Sequence, residues 1–174
     1  MRLSSKKVLS QEEPLALSSN FELFCARRKM SDGAMYALTI KPLWIWAILH
    51  AGKDVENRVW STKFRGTFLL HSSKACTEKE YLQAYEFIYS VNSDVAETAP
   101  DYKTLMRDYA GKICGSVELA DVFKPYPSEP TSVWHMEECF GFKLQNPREF
   151  ARKTPFKGAL KFFEVDKGLV ALLK

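Results

Sequence analysis

Long apolar runs are missing from this chain of 174 residues. No stretch approaches the roughly 20 apolar residues that a helix needs to cross a bilayer, so no membrane partner is expected. The N-terminal stretch lacks the apolar core of about 7–15 residues that a secretory signal carries. Glu12, Glu13 and Glu22 argue against an organelle transit peptide. Cysteine is scarce: Cys25, Cys76, Cys114 and Cys139 show no C-x-x-C pairing. In a chain of this length they read as reduced thiols of a cytoplasmic protein, not as a disulfide scaffold. Of the few histidines, His135 has Cys139 four residues away, a spacing that metal sites use. No second such pair lies nearby, so both read as structural, and neither a metal nor a cofactor is expected. No glycine loop that cradles phosphate, no nucleophile elbow and no zinc-hydrolase motif is present.

Charge is present in quantity and unevenly spread. Residues 41–74 carry six basic and two acidic groups, residues 77–142 five and twelve, and residues 143–174 eight and three. The first and last of these segments can form a positive surface suited to an anionic partner such as nucleic acid or a nucleotide. The acidic middle suits a protein partner instead, and an interaction module is a separate reading of the same pattern.

Residues 1–34 show no sustained period of 2 or 3.6. They are expected to be a disordered or loosely docked tail, or to follow from a start placed too far upstream. The domain is expected over residues 35–174. Residues 37–40 read as a strand. Pro42 fits the first turn of a helix over residues 43–50, and Gly52 ends it. Residues 55–60 and 66–71 read as strands, the second with a run, Phe68, Leu69 and Leu70, expected of a strand buried on both faces. Thr77-Glu78-Lys79-Glu80 is a capping box that opens a helix to about Val91, with Tyr81, Tyr85, Ile88 and Tyr89 as its packing face. Residues 92–100 read as a polar loop and 101–109 as a weaker helix. Further strands are expected at 112–122, at 140–144 closed by Asn146-Pro147, at 159–165, and at 169–172. Pro125, Pro127 and Pro130 mark a long loop. Many short strands with two or three helices indicate an α+β or barrel domain.

The stretch that organises the rest is residues 38–74. If residues 55–58 are a strand, Glu56 and Arg58 share a face, with Lys53 at its entrance. Such a trio forms either a salt-bridged support for the domain or the charged floor of a cleft. Lysine can hold phosphate or act as a base when burial lowers its pKa, arginine can grip an anion with two hydrogen bonds, and the glutamate orients both. Trp44, Trp46 and Trp60 flank the trio. A base can stack on one that lines a cleft, and at least one is expected in the core.

These residues resemble the ASCH (activating signal cointegrator homology) domain family, a branch of the PUA-like β-barrel superfamily. Its signature G-x-K-x-x-E-x-R follows a helix opened by a proline and tryptophan. Here it reads Ala51-Gly52-Lys53-Asp54-Val55-Glu56-Asn57-Arg58. Lys53, Glu56 and Arg58 fall in register, whereas Ala51 stands at the first glycine. Pro42, Trp44, Trp60 and Arg65-Gly66 are further matching pieces. The resemblance runs from about Tyr36 to the C-terminus. It implies a small mixed β-barrel with two to three flanking helices, and a cleft lined by the motif.

By resemblance the protein binds RNA or a modified nucleotide there, with Lys41, Trp44, Lys53, Glu56, Arg58, Trp60, Arg65, His71 and Lys74 as contacts. An enzymatic alternative comes from relatives that cleave RNA or remove an acyl group from a cytosine base. Lys53, Glu56 and Glu118 are then the catalytic candidates. In the amidohydrolase branch a threonine three residues after the lysine is needed. Glu56 stands at that position, so the hydroxyl chemistry of that branch is not available.

Overall fold

The structure, a computed structural model, describes residues 35–129 and 131–170. The expectations for residues 1–34, for Pro130 and for residues 171–172 fall outside them. Strand β1 (Met35–Ile40) leads to helix α1 (Pro42–His50), strand β2 (Val55–Arg58) and strand β3 (Gly66–Ser72). Helices α2 (Glu78–Val91), α3 (Ser93–Ala96) and α4 (Tyr102–Tyr109) follow. Strands β4 (Lys112–Phe123), β5 (Phe140–Pro155) and β6 (Phe162–Val165) and the short helix α5 (Lys167–Val170) complete the described chain.

The strands form one mixed sheet in the order β2-β5-β4-β3-β1-β6. β1 and β3 run parallel, and the crossover that such a pair requires is supplied by α1 and β2. The expected barrel is not closed, because β2 and β6 are the two edges of the sheet. Side chains bridge the gap. The Arg58 guanidinium, on β2, donates to the Thr39 carbonyl of β1 at 2.8 Å. The Trp60 ring, just past β2, packs 5.9 Å from Phe162 of β6.

The main core lies between the sheet and the helices. Leu38, Phe68, Leu70, Val117, Leu119 and Phe142 meet Leu43, Ile45 and Ile48 of α1. A smaller cluster of Ala37, Leu69, Ile113, Phe163 and Val165 covers the opposite face. Successive strand residues point to opposite faces, so Phe68 and Leu70 enter one cluster and Leu69 the other, as the apolar run predicts. Each of the buried Val, Leu, Ile and Phe side chains among these contributes about 1.5–3 kcal/mol. α1 is apolar nearly all round, as a core helix is. Gly52, at φ +68°, ends it, and the Lys53 N–H donates back to the Ala47 carbonyl.

Four elements differ from the sequence reading. The first is the loop at 92–100, which holds the helical turn α3, capped by Asn92 through its side chain on the Val95 N–H. The second is β5, which runs straight through Asn146-Pro147. The register with β4 slips there, and Asn146 takes φ +53°. A bulge tolerates proline because its residue owes no ladder hydrogen bond. The last strand is shorter than expected, beginning only at Phe162. Finally, residues 167–170 are helical, not a strand. The capping box is complete: Thr77 and Glu80 exchange side-chain and backbone bonds. Tyr81 and Ile88 are buried behind it, whereas Tyr89 and Leu82 are about half-exposed. No described helix is long and apolar enough to cross a membrane.

Candidate functional site

Lys53 enters the interior as soon as the chain leaves α1. Its side chain is 3% exposed, and Nζ lies 3.2 Å from Glu56 Oε2. The same ammonium donates to the Val55 carbonyl and sits over the Trp44 and Trp134 rings at 5.4 and 6.0 Å. Period-two alternation in β2 puts Glu56 and Arg58 on one face. The Arg58 guanidinium reaches Glu56 Oε1 at 3.1 Å. Glu56 thus stands between two cations, one oxygen to each. Burial lowers the Lys53 pKa, and the Glu56 carboxylate opposes that shift.

β2 is an edge strand, and the loop of residues 131–139 is tied to it. Asn57 does this with one side chain: its amide N–H donates to the Trp134 carbonyl at 2.8 Å, and its amide oxygen accepts from the Met136 N–H at 2.9 Å. Two bonds of opposite sense fix this loop to β2. His135 braces this loop internally. One ring nitrogen faces the Thr131 hydroxyl at 2.6 Å and the other the Cys139 carbonyl at 2.9 Å. Its ring is therefore fully hydrogen-bonded to protein. Among the described residues no group of three or more His, Cys, Asp or Glu side chains is placed to hold a metal.

Together α1, β2, α2 and this loop enclose a cleft of about 430 Å³. Trp44, Phe87 and Trp134 wall it, and Lys53 and Glu56 form its floor. Phe87 packs 5.8 Å from each of the two tryptophans. At the mouth, Lys41 bridges to Glu80 at 2.8 Å. That ammonium and the Thr77 N–H hold the Glu80 carboxyl down at about 2. The cleft is not the basic one expected, because its two lysines are matched by two carboxylates.

A second, more open cleft of about 920 Å³ lies beyond residues 73–76. His71 and Lys74 belong to this one, with Thr39, Lys112 and Lys157. Lys41, Trp44, Lys53 and Glu56 share the first cleft, and Arg58 stands behind Glu56 without lining it. Trp60 joins an aromatic cluster with Phe142 and Phe162, and Trp46 is buried in the core. Arg65 pairs with Asp121 at 3.0 Å, away from both clefts. Glu118 also lines neither cleft. It accepts from Asn146 at the β5 bulge.

Sequence reasoning missed Asn57, Glu80, Gln83, Phe87 and Trp134 as lining residues. A signal for part of this set was available. Glu80, Gln83, Ala84 and Phe87 stand at i, i+3, i+4 and i+7, a single helix face. Trp134 carried none, since its loop has no period.

A family model for the ASCH domain matches residues 38–161. The chain belongs to the ASCH domain family. Its α+β sheet is accordingly of the PUA-like fold, and ASCH domains are associated with RNA binding. In this ASCH domain the matched region contains all of the first cleft's lining residues. No curated protein matches the chain.

Proposed function

We propose that this ASCH domain binds RNA by taking one unpaired base into the first cleft. The observation that carries this is a buried ion pair of Lys53 and Glu56 at the floor of an aromatic-walled cleft. The cleft falls within the range of about 300–1,000 Å³ typical of small-ligand sites. Unpaired bases are recognised by stacking on aromatic rings and by hydrogen bonds to their edges.

The floor offers both hydrogen-bond senses side by side. An ammonium has three N–H donors. Val55 and Glu56 take two of those on Lys53, leaving one for a base carbonyl. Each Glu56 oxygen has a second lone pair for a base N–H. A phosphate suits this floor poorly, because Glu56 would repel it. Binding is proposed in preference to turnover because Glu56 fills the position of the catalytic hydroxyl and Glu118 lies outside the cleft.

Trp44→Leu keeps apolar bulk but removes the stacking face. It is expected to weaken a short single-stranded RNA by about 1–3 kcal/mol, roughly 5- to 150-fold. Fluorescence anisotropy titration measures this, with a thermal melt to verify folding. Unchanged affinity in a folded variant would refute a base in this cleft.

A further inference from the structure

The second cleft has a different chemistry from the first. Lys74, Lys112 and Lys157 line it, with no carboxylate among its lining residues. Lys74 and Lys157 are exposed, and neither has an ion-pair partner among the described residues. Lys112 is fixed differently: its ammonium donates to the Arg107 and Asp108 carbonyls at the end of α4.

The loop that carries Lys157 is strapped to the sheet. His71, buried on β3, donates from Nε2 to the Phe156 carbonyl at 3.0 Å. The Thr39 hydroxyl, on β1, donates to the Ala159 carbonyl at 3.1 Å. Two bonds on either side of Lys157 hold its backbone in place, so its charge is presented at the cleft by a built support and not by a loose tail.

The two clefts adjoin. Ala75 lines the second and its neighbour Cys76 the first. Thr39 lines the second and Lys41, two residues on, the first. The Lys41 ammonium and the Ser73 hydroxyl both donate to the Ala75 carbonyl, at 3.0 and 2.9 Å, which stiffens the ridge between them.

We infer that the second cleft is a track for the sugar–phosphate backbone of single-stranded RNA, continuing from the base held in the first. This rests on the base-binding reading above and makes it specific: the ligand is an RNA strand, not a free nucleotide. A neutral aromatic pocket next to a groove of lysines separates the two demands of a single strand, stacking for its bases and positive charge for its phosphates.

The test uses the full chain, a single-stranded RNA of about eight nucleotides, and the variants Lys74→Ala/Lys157→Ala and Trp44→Leu, titrated between about 50 and 200 mM salt. Each phosphate contact on a single strand contributes about 0.7 to the slope of log affinity against log salt. The lysine variant is expected to bind about tenfold more weakly at the lower salt and to lose about 1.4 from that slope. Trp44→Leu should lower affinity and leave the slope unchanged. A lysine variant with wild-type affinity and slope overturns the track while leaving the base pocket standing. The reverse pattern, with only the lysine variant impaired, overturns the base pocket and keeps the track as an anion groove. Absence of binding by the unaltered protein overturns both.

Discussion

Glu56→Ala is expected to destabilise the protein by about 3–5 kcal/mol, the usual result of removing one partner of a buried pair. Glu56 holds Lys53 at 3.2 Å and Arg58 at 3.1 Å. Its loss leaves a 3%-exposed ammonium with only a carbonyl and two ring faces for company. Arg58 Nε, already buried without a partner, would lose its neighbour's compensation too. Lys53→Met removes the desolvated charge itself and leaves Glu56 paired with Arg58, so it should cost only about 1 kcal/mol. Urea titration of both variants decides. Equal losses would contradict the view of Glu56 as the centre of the trio.

Alkaline pH separates the two further. Burial lowers the Lys53 pKa below 10.5. Between that lowered value and 10.5 the unfolded chain binds a proton at Lys53 that the folded chain does not. Stability then rises with pH across this window. The unaltered protein should gain on Lys53→Met as pH rises toward 10.5, and a constant difference would count against the shift.

Gly115→Ala is expected to cost about 3 kcal/mol or more, lowering the melting temperature by roughly 6–12 °C. Gly115 lies mid-sheet, opposite Leu70 on β3 and Glu149 on β5. A Cβ there would stand 2.3 Å from the Arg148 carbonyl oxygen and 3.3 Å from the Glu149 Cα. These are backbone atoms of β5, so relief requires the strand to move. Gly52→Ala is the control. A Cβ at Gly52 meets nothing within 4 Å, so only its φ of +68° is strained, at about 1–2 kcal/mol. Calorimetry showing Gly115→Ala no worse than Gly52→Ala would contradict this packing.

What the sequence makes legible is what local chemistry decides. Pro42, Gly52 and the Thr77–Glu80 box mark helix ends because caps involve residues a few positions apart. The burial of β3 on both faces was equally plain from Phe68, Leu69 and Leu70. The course of β5 through Asn146-Pro147 was not, because a proline reads as a stop unless the partner strand reveals a bulge. The site divides the same way. The Glu56–Arg58 pairing follows from alternation in one strand. The remaining neighbours depend on how strands order in the sheet. That order puts His71 and Lys74 in a second cleft, Glu118 beside the β5 bulge, and Trp60 against Phe162 at the open seam. It also brings Trp134, from a loop without any pattern, to face Trp44 across Lys53.

Ultraviolet crosslinking of a bound single-stranded RNA, with the linked peptides mapped by mass spectrometry, tests the base pocket most directly. Crosslinks are expected at Trp44, Phe87 or Trp134, the rings that wall the first cleft. Crosslinks confined to peptides that line neither cleft would contradict the pocket's role in binding RNA.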